Sequence, residues 1–180
     1  MQSDTNTNTL SVPVADSIDN FLLTTGRWFS WANFILILVT ILQVVLRYGF
    51  RNGLVTLEEL EWHLYGFAFM MGLSYALITN SHVRVDVIQS RFSRKTREWI
   101  DIIGHIFLLL PFIVTVIYFG WEFTYKSFVL SEHSNAPMGL PYRWIIKSVV
   151  PISFAFLGLA TISRIIRSFA IIRSEKHGSN

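Results

Sequence analysis

Hydrophobic and polar positions along this chain separate by stretch rather than residue by residue. Four windows are nearly free of charge: Trp28–Leu46, Leu64–Asn80, Ile102–Gly120 and Ser148–Ser163. Each approaches the roughly 20 residues that a helix needs to cross a hydrocarbon core of about 30 Å. The second reaches that length once Trp62 and His63 are counted with its polar rim. The pattern predicts an all-α membrane protein with four transmembrane helices, at about residues 28–46, 60–80, 100–122 and 144–166. It divides the chain into a polar segment over 1–27, a four-helix transmembrane domain over 28–170 and a basic tail over 171–180.

The polar residues mark how the spans begin and end. Residues 1 to about 20 read as disordered or loosely helical. Asn52-Gly53 is a reversal signal between the first two spans. Thr56 stands three positions before Glu59, the spacing of a capping box. Glu58, Glu59 and Glu61 follow where the helix dipole favours negative charge. Beyond the second span, Val85, Ile88 and Phe92 share a helical face flanked by Arg84 and Arg91. That predicts a short interfacial amphipathic helix between spans two and three, because a lone strand would have no partner at a membrane. Ser93 is placed to cap the next helix. Pro111 predicts a kink in span three, and Pro151 falls in the first turns of span four. A loop over Lys126–Arg143 joins those two spans.

Composition sharpens this picture. The chain is 52% hydrophobic and carries 15% charged residues, below the ~25% of soluble domains. It has no cysteine, which excludes disulfides and thiolate metal sites. The N-terminus lacks the basic region and apolar core of a cleavable signal peptide. The net charge of +3 is membrane-surface charge, with no basic face to suggest nucleic acid. Lysine and arginine are unequally shared between the two sides. One side takes Arg27, the five from Arg84 to Arg97, and the four from Arg164 to Lys176. The other takes Arg47, Arg51, Lys126, Arg143 and Lys147. By this asymmetry both termini are cytoplasmic. The six tryptophans fall at the two rims, as an aromatic belt would.

Candidate chemistry inside the spans is sparse. No acid or base lies near the middle of any span, which argues against an ion-coupled carrier acting alone. Gln43, Ser74, Thr115 and Thr161 are expected to bond between helices. His63 and His105 fall at opposite ends of their spans, so one haem cannot take both as axial ligands. Gly66, Ala68, Gly72 and Ala76 put small residues along span two, suited either to close approach of another helix or to packing within the bundle. No nucleophile–base set, phosphate loop or metal-ligand spacing is present, so no catalytic, cofactor or metal residue is assigned and the chain is not read as an enzyme. The remaining pattern fits a scaffold or accessory subunit.

One stretch carries a family resemblance. Glu58 and Glu59 open the second span, and His82 follows 24 positions after the first acid, leading the run His82-Val83-Arg84-Val85-Asp86. With Gly72, Ala76 and Arg91-Phe92-Ser93, this resembles the small membrane subunit (DctQ-like) of TRAP transporters, the tripartite ATP-independent periplasmic transporters, over about residues 28–170. Thr56 and Trp62 depart from the common pattern, which has tryptophan and arginine there. The resemblance implies an accessory scaffold in a sodium-coupled importer of an organic acid anion, sited in the bacterial inner membrane. It implies a large elevator-type membrane subunit holding substrate and sodium, and a periplasmic binding protein, as partners beside the lipid bilayer. The motif Glu58, Glu59, Trp62, His82, Val83, Arg84, Asp86 and Arg91 would then fix the bundle or touch the large subunit. The competing expectation is the membrane anchor of a respiratory, quinone-linked enzyme.

Overall fold

A computed structural model describes residues 12–79 and 92–177. Among these every regular element is helical: α1 (Pro13–Phe29), α2 (Trp31–Gly49), α3 (Val55–Ile78), α4 (Arg94–Gly104), a π-helical turn (His105–Leu109), α5 (Leu110–Val129) and α6 (Trp144–His177). Three stretches are long and apolar enough to cross a membrane: Pro13–Gly49, Lys95–Val129 and Trp144–Ser174. Helix α3 has 24 residues, or about 36 Å at 1.5 Å per residue, but its first turns hold three glutamates that dilute its apolar character. The proposed interfacial helix falls mostly on residues 80–91, outside the described residues.

The central element is α6. Helices α5, α3, α1 and α4 all pack against it, and α2 leans on α3 from the far side. The buried core is formed by Ile113 of α5 with Phe154 and Leu157 of α6, and Met70, Leu73 and Leu77 of α3 close over it. The Phe112 and Phe154 rings meet edge to face at 5.7 Å. Gly120 lets α5 approach Pro151 closely; a β-carbon there would lie 3.3 Å from the proline ring.

The segment read as disordered or loosely helical forms a helix from Pro13 onward. Proline at the first helical position starts α1 with its φ already set. Ala15, Leu22 and Gly26 form its buried side, spaced to lie along one stripe. Gly26 is required there, since a β-carbon would sit 2.8 Å from the Tyr75 ring of α3. Helix α1 therefore lies in the crevice between α3 and α6. A turn at Ser30, whose hydroxyl donates to the Gly26 carbonyl at 2.9 Å, separates α1 from α2.

Pro111 has no N–H to offer the carbonyl four residues back, and its ring crowds that carbonyl. The chain answers with the π turn just before it, where the Leu110 amide reaches the His105 carbonyl five residues back. Ser93 caps α4 as its position suggested, its hydroxyl accepting from the Thr96 amide at 3.3 Å.

Much of the bundle's apolar surface is uncovered. Ile35, Ile37, Leu38 and Ile41 of α2, and Phe112, Val114 and Phe119 of α5, are all exposed. Contiguous apolar area on this scale marks contact with lipid or with other proteins. Five tryptophans, Trp28, Trp31, Trp62, Trp99 and Trp121, are exposed too. Trp144 packs edge-on against Phe128 at 5.4 Å.

Candidate functional site

The polar interactions gather at the two ends of the bundle. One end, here the loop end, holds the α2–α3 turn, the start of α3 and the α5–α6 loop. The other, the termini end, holds the start of α1 and the last turns of α6.

Helix α3 begins without a side-chain cap. Leu54 at its N-cap is extended, and Gln43 of α2 holds both of its backbone groups. The Gln43 amide nitrogen donates to the Leu54 carbonyl at 3.2 Å, and its oxygen accepts from the Leu54 amide at 3.4 Å. The capping box expected from Thr56 and Glu59 does not form. Helix α3 starts two residues before the predicted cap would require, so both residues sit inside its first turns with their side chains turned outward. The Thr56 hydroxyl donates to the Met138 carbonyl at 2.7 Å. The Glu59 carboxylate accepts from the Ser134 hydroxyl, and from the Leu140 amide at 2.6 Å.

The α5–α6 loop is shaped around this carboxylate. The Ser134 hydroxyl also accepts from the Ala136 amide at 3.1 Å, and the Gly139 amide donates to the Ala136 carbonyl at 3.0 Å. Gly139 is required by proximity: a β-carbon would lie 2.5 Å from Ser134. Three non-glycine residues of the loop hold left-handed backbone, Ser131, Met138 and Tyr142. Such conformations persist only where surrounding bonds over-determine them. A second carboxylate, Glu132, closes the loop's base. It accepts from Lys147 of α6, has Arg143 at 3.9 Å, and its carbonyl accepts from the Arg143 amide at 3.1 Å. The Lys147 ammonium also lies 3.9 Å from the centre of the Phe123 ring, a cation–π contact.

Both carboxyls are held below their ordinary values. For Glu59, just before the predicted second span, the Ser134 hydrogen bond is the main cause and the Leu140 amide the next. For Glu132 the Lys147 hydrogen bond leads. Hydrogen bonds to the charged form favour it.

Of the residues singled out in sequence, Glu58 and Trp62 are exposed on α3 and Glu59 is half-buried under the loop. His82, Val83, Arg84, Asp86 and Arg91 lie outside the described residues. An added β-carbon at Gly66 or Gly72 would meet nothing within 4 Å among the described residues, so none of the described helices approaches closely at either glycine. His105 donates from Nδ1 to the Asp101 carbonyl at 2.5 Å. Among the described residues no three histidines, aspartates or glutamates cluster in a way that could hold a metal ion.

Three of the four in-span polar residues bond differently from expectation. Ser74, Thr115 and Thr161 donate to the carbonyls of Met71, Pro111 and Leu157 in their own helices. A hydroxyl three or four residues after a carbonyl satisfies itself without a second helix. Gln43 has a longer side chain and reaches beyond its own helix, to Leu54.

The termini end carries a network that sequence reasoning missed. Arg167 of α6 donates to Asp16 at 2.9 Å and to Asp19 at 2.5 Å. The Ser163 hydroxyl joins Asp19 at 2.5 Å and the Ala15 carbonyl at 3.3 Å. Asp16 and Asp19 are three apart, as helical neighbours are, and flank the Ala15–Leu22–Gly26 stripe. That pattern was present in the sequence but was hidden by reading the whole segment as polar.

Both ends are latches: each uses carboxylates to tie sequence-distant segments together. The family model described as tripartite ATP-independent periplasmic transporters, DctQ component, matches residues 36–171. No individual curated protein matches the chain.

Proposed function

Starting from the fact that this chain belongs to the DctQ component family of the tripartite ATP-independent periplasmic transporters, we propose that it is the accessory scaffold subunit of a sodium-coupled secondary importer of an organic acid anion. It braces a large elevator-type membrane subunit, which carries the sodium and substrate sites. A periplasmic binding protein delivers the anion. The respiratory-anchor reading gains no support from the family match.

The observation that carries this reading is the distribution of charge on a chain of that family. The ion pairs of the described residues lie toward the ends of their helices or in the loop, and the faces between are apolar and open. Such a body has apolar surface to offer a larger membrane protein.

In this reading α3 is a fourth span and the bundle sits in the bacterial inner membrane. The excess of lysine and arginine on one side supports cytoplasmic termini, and in that orientation the loop end faces the periplasm. The latched α5–α6 loop, with Met138 85% exposed at its tip, then stands where the binding protein arrives. Glu58, Trp62 and the stretch His82–Arg91 fix the bundle at its two rims or meet the large subunit.

Removing this chain from cells should abolish sodium-driven uptake, and the tagged chain should co-purify with a large multi-span protein. Transport by the chain alone in liposomes would overturn the proposal.

A further inference from the structure

Helix α1 fills only part of the crevice between α3 and α6. It lies against both from Ala15 to Phe29, with Gly26 on Tyr75 and Ala15 against Ser163. Beyond Ser30, which keeps right-handed helical dihedrals, α2 packs on α3. The loop-end half of the same crevice is left as a groove of about 320 Å³, lined among others by His63, Leu64, Phe67, Tyr142, Ile146 and Val149. Its floor is Phe67, whose ring meets Phe29 edge to face at 5.3 Å. Its roof is the latched loop at Leu140–Tyr142. That volume is at the lower end of the range of small-molecule sites, about 300–1,000 Å³.

Three features say what fits. The walls are almost wholly apolar, so water there would lack the two to four polar partners that hold it. Tyr142 lines the mouth, and Arg143 follows it in the chain where the loop meets α6. Lys147 takes Glu132 at hydrogen-bond distance, while Arg143 stands off at 3.9 Å, which leaves guanidinium donors for another acceptor. Glu59 and Arg143, each next in sequence to a residue that lines the groove, carry opposite charges. A ligand with an apolar tail, one phosphate and a compensating cation matches this arrangement, whereas a strongly anionic one would meet the Glu59 carboxylate.

We propose that the groove is a lipid site, which holds one acyl chain of a zwitterionic phosphoglyceride with its phosphate at Arg143. The lipid completes the crevice that α1 leaves open and packs under the loop. The site depends only on the chain spanning a bilayer, and not on which transporter it serves.

Native mass spectrometry of the full-length chain, extracted from membranes in mild detergent, tests this directly. The wild type should carry one firmly held zwitterionic phospholipid. Ile146→Trp fills the groove and should remove it. Arg143→Gln keeps the backbone bond to Glu132 and should lower retention by about tenfold, the factor of one charge-assisted hydrogen bond. Leu38→Trp adds similar bulk to the exposed face of α2 and should leave retention unchanged. Thermal unfolding of each variant separates loss of lipid from loss of fold, and Arg143→Gln stands as the independent variant should Ile146→Trp fail to fold. Lipid-free wild type, equal retention by Arg143→Gln, or equal loss in Leu38→Trp would overturn the site. So would efficient crosslinking of Ile146→Cys to a partner protein in native membranes, because a protein side chain would then occupy the groove. None of these outcomes bears on sodium-driven uptake, so the transporter assignment is judged separately.

Discussion

Glu59 accepts the backbone amide of Leu140 at 2.6 Å across 81 positions of sequence. With the Ser134 hydroxyl on its other oxygen, this one carboxylate ties the start of α3 to the far side of the α5–α6 loop. Glu59→Ala removes both acceptors and leaves the left-handed residues Met138 and Tyr142 held by fewer bonds. The loop should open, and limited proteolysis between residues 131 and 143 should become faster in the variant than in wild type. Glu58→Ala, on the exposed side of the same turn, should cleave at the wild-type rate. Equal rates for the two variants would contradict the latch.

Acid should release the same loop. The folded carboxyls of Glu59 and Glu132 titrate below the ordinary value of 4.5. A group with a depressed folded pKa stabilises fully above its unfolded value, and the contribution is lost as pH falls through the folded value. Loop stability should therefore be flat from neutral pH down to about 4.5 and decline below it. The Leu140 amide resonance in an NMR titration reads this directly. A transition centred near neutral pH would assign the loop's stability to another group.

Gly26 and Tyr75 set how near α1 comes to α3. Gly26→Ala forces a β-carbon to within 2.8 Å of the Tyr75 ring, and should destabilise the bundle by about 1–3 kcal/mol, the usual cost of overpacking. Pairing it with Tyr75→Ala should recover part of that loss. Thermal unfolding in detergent measures both, and additive losses would show that the two residues do not meet.

At the termini end, Arg167→Ala leaves Asp19, whose side chain is 17% exposed, without its cation. Removing one member of a largely buried charged pair should cost about 1–3 kcal/mol. The loss should be visible as faster hydrogen exchange along α1, with α3 unaffected. Unchanged exchange in α1 would show that apolar packing at Leu22 and Gly26 alone holds that helix.

These cases also show what a one-dimensional reading recovers. Charge-free windows found α2, α5 and α6, because lipid-facing helices need apolar residues all round and composition alone reveals them. Ser93 was recognised as a cap because capping is local. Thr56 and Glu59 matched a local motif yet serve partners some 80 positions away, which no local pattern encodes. Asp16 and Asp19 passed unremarked in a segment taken as polar, because their cation, Arg167, is about 150 positions distant. Ser74, Thr115 and Thr161 were assigned to neighbouring helices, when short hydroxyl side chains reach their own carbonyls first.

The Gln43 clamp on Leu54 has a practical consequence for mapping sidedness. It closes the α2–α3 hairpin from beneath, and leaves the tip, where Arg51 alone adopts left-handed backbone, with little structural burden. A short epitope inserted after Asn52 should therefore be tolerated without disturbing the register of either helix. Whether an impermeant antibody labels that epitope in intact spheroplasts would then report, from a single site, which compartment the hairpin enters.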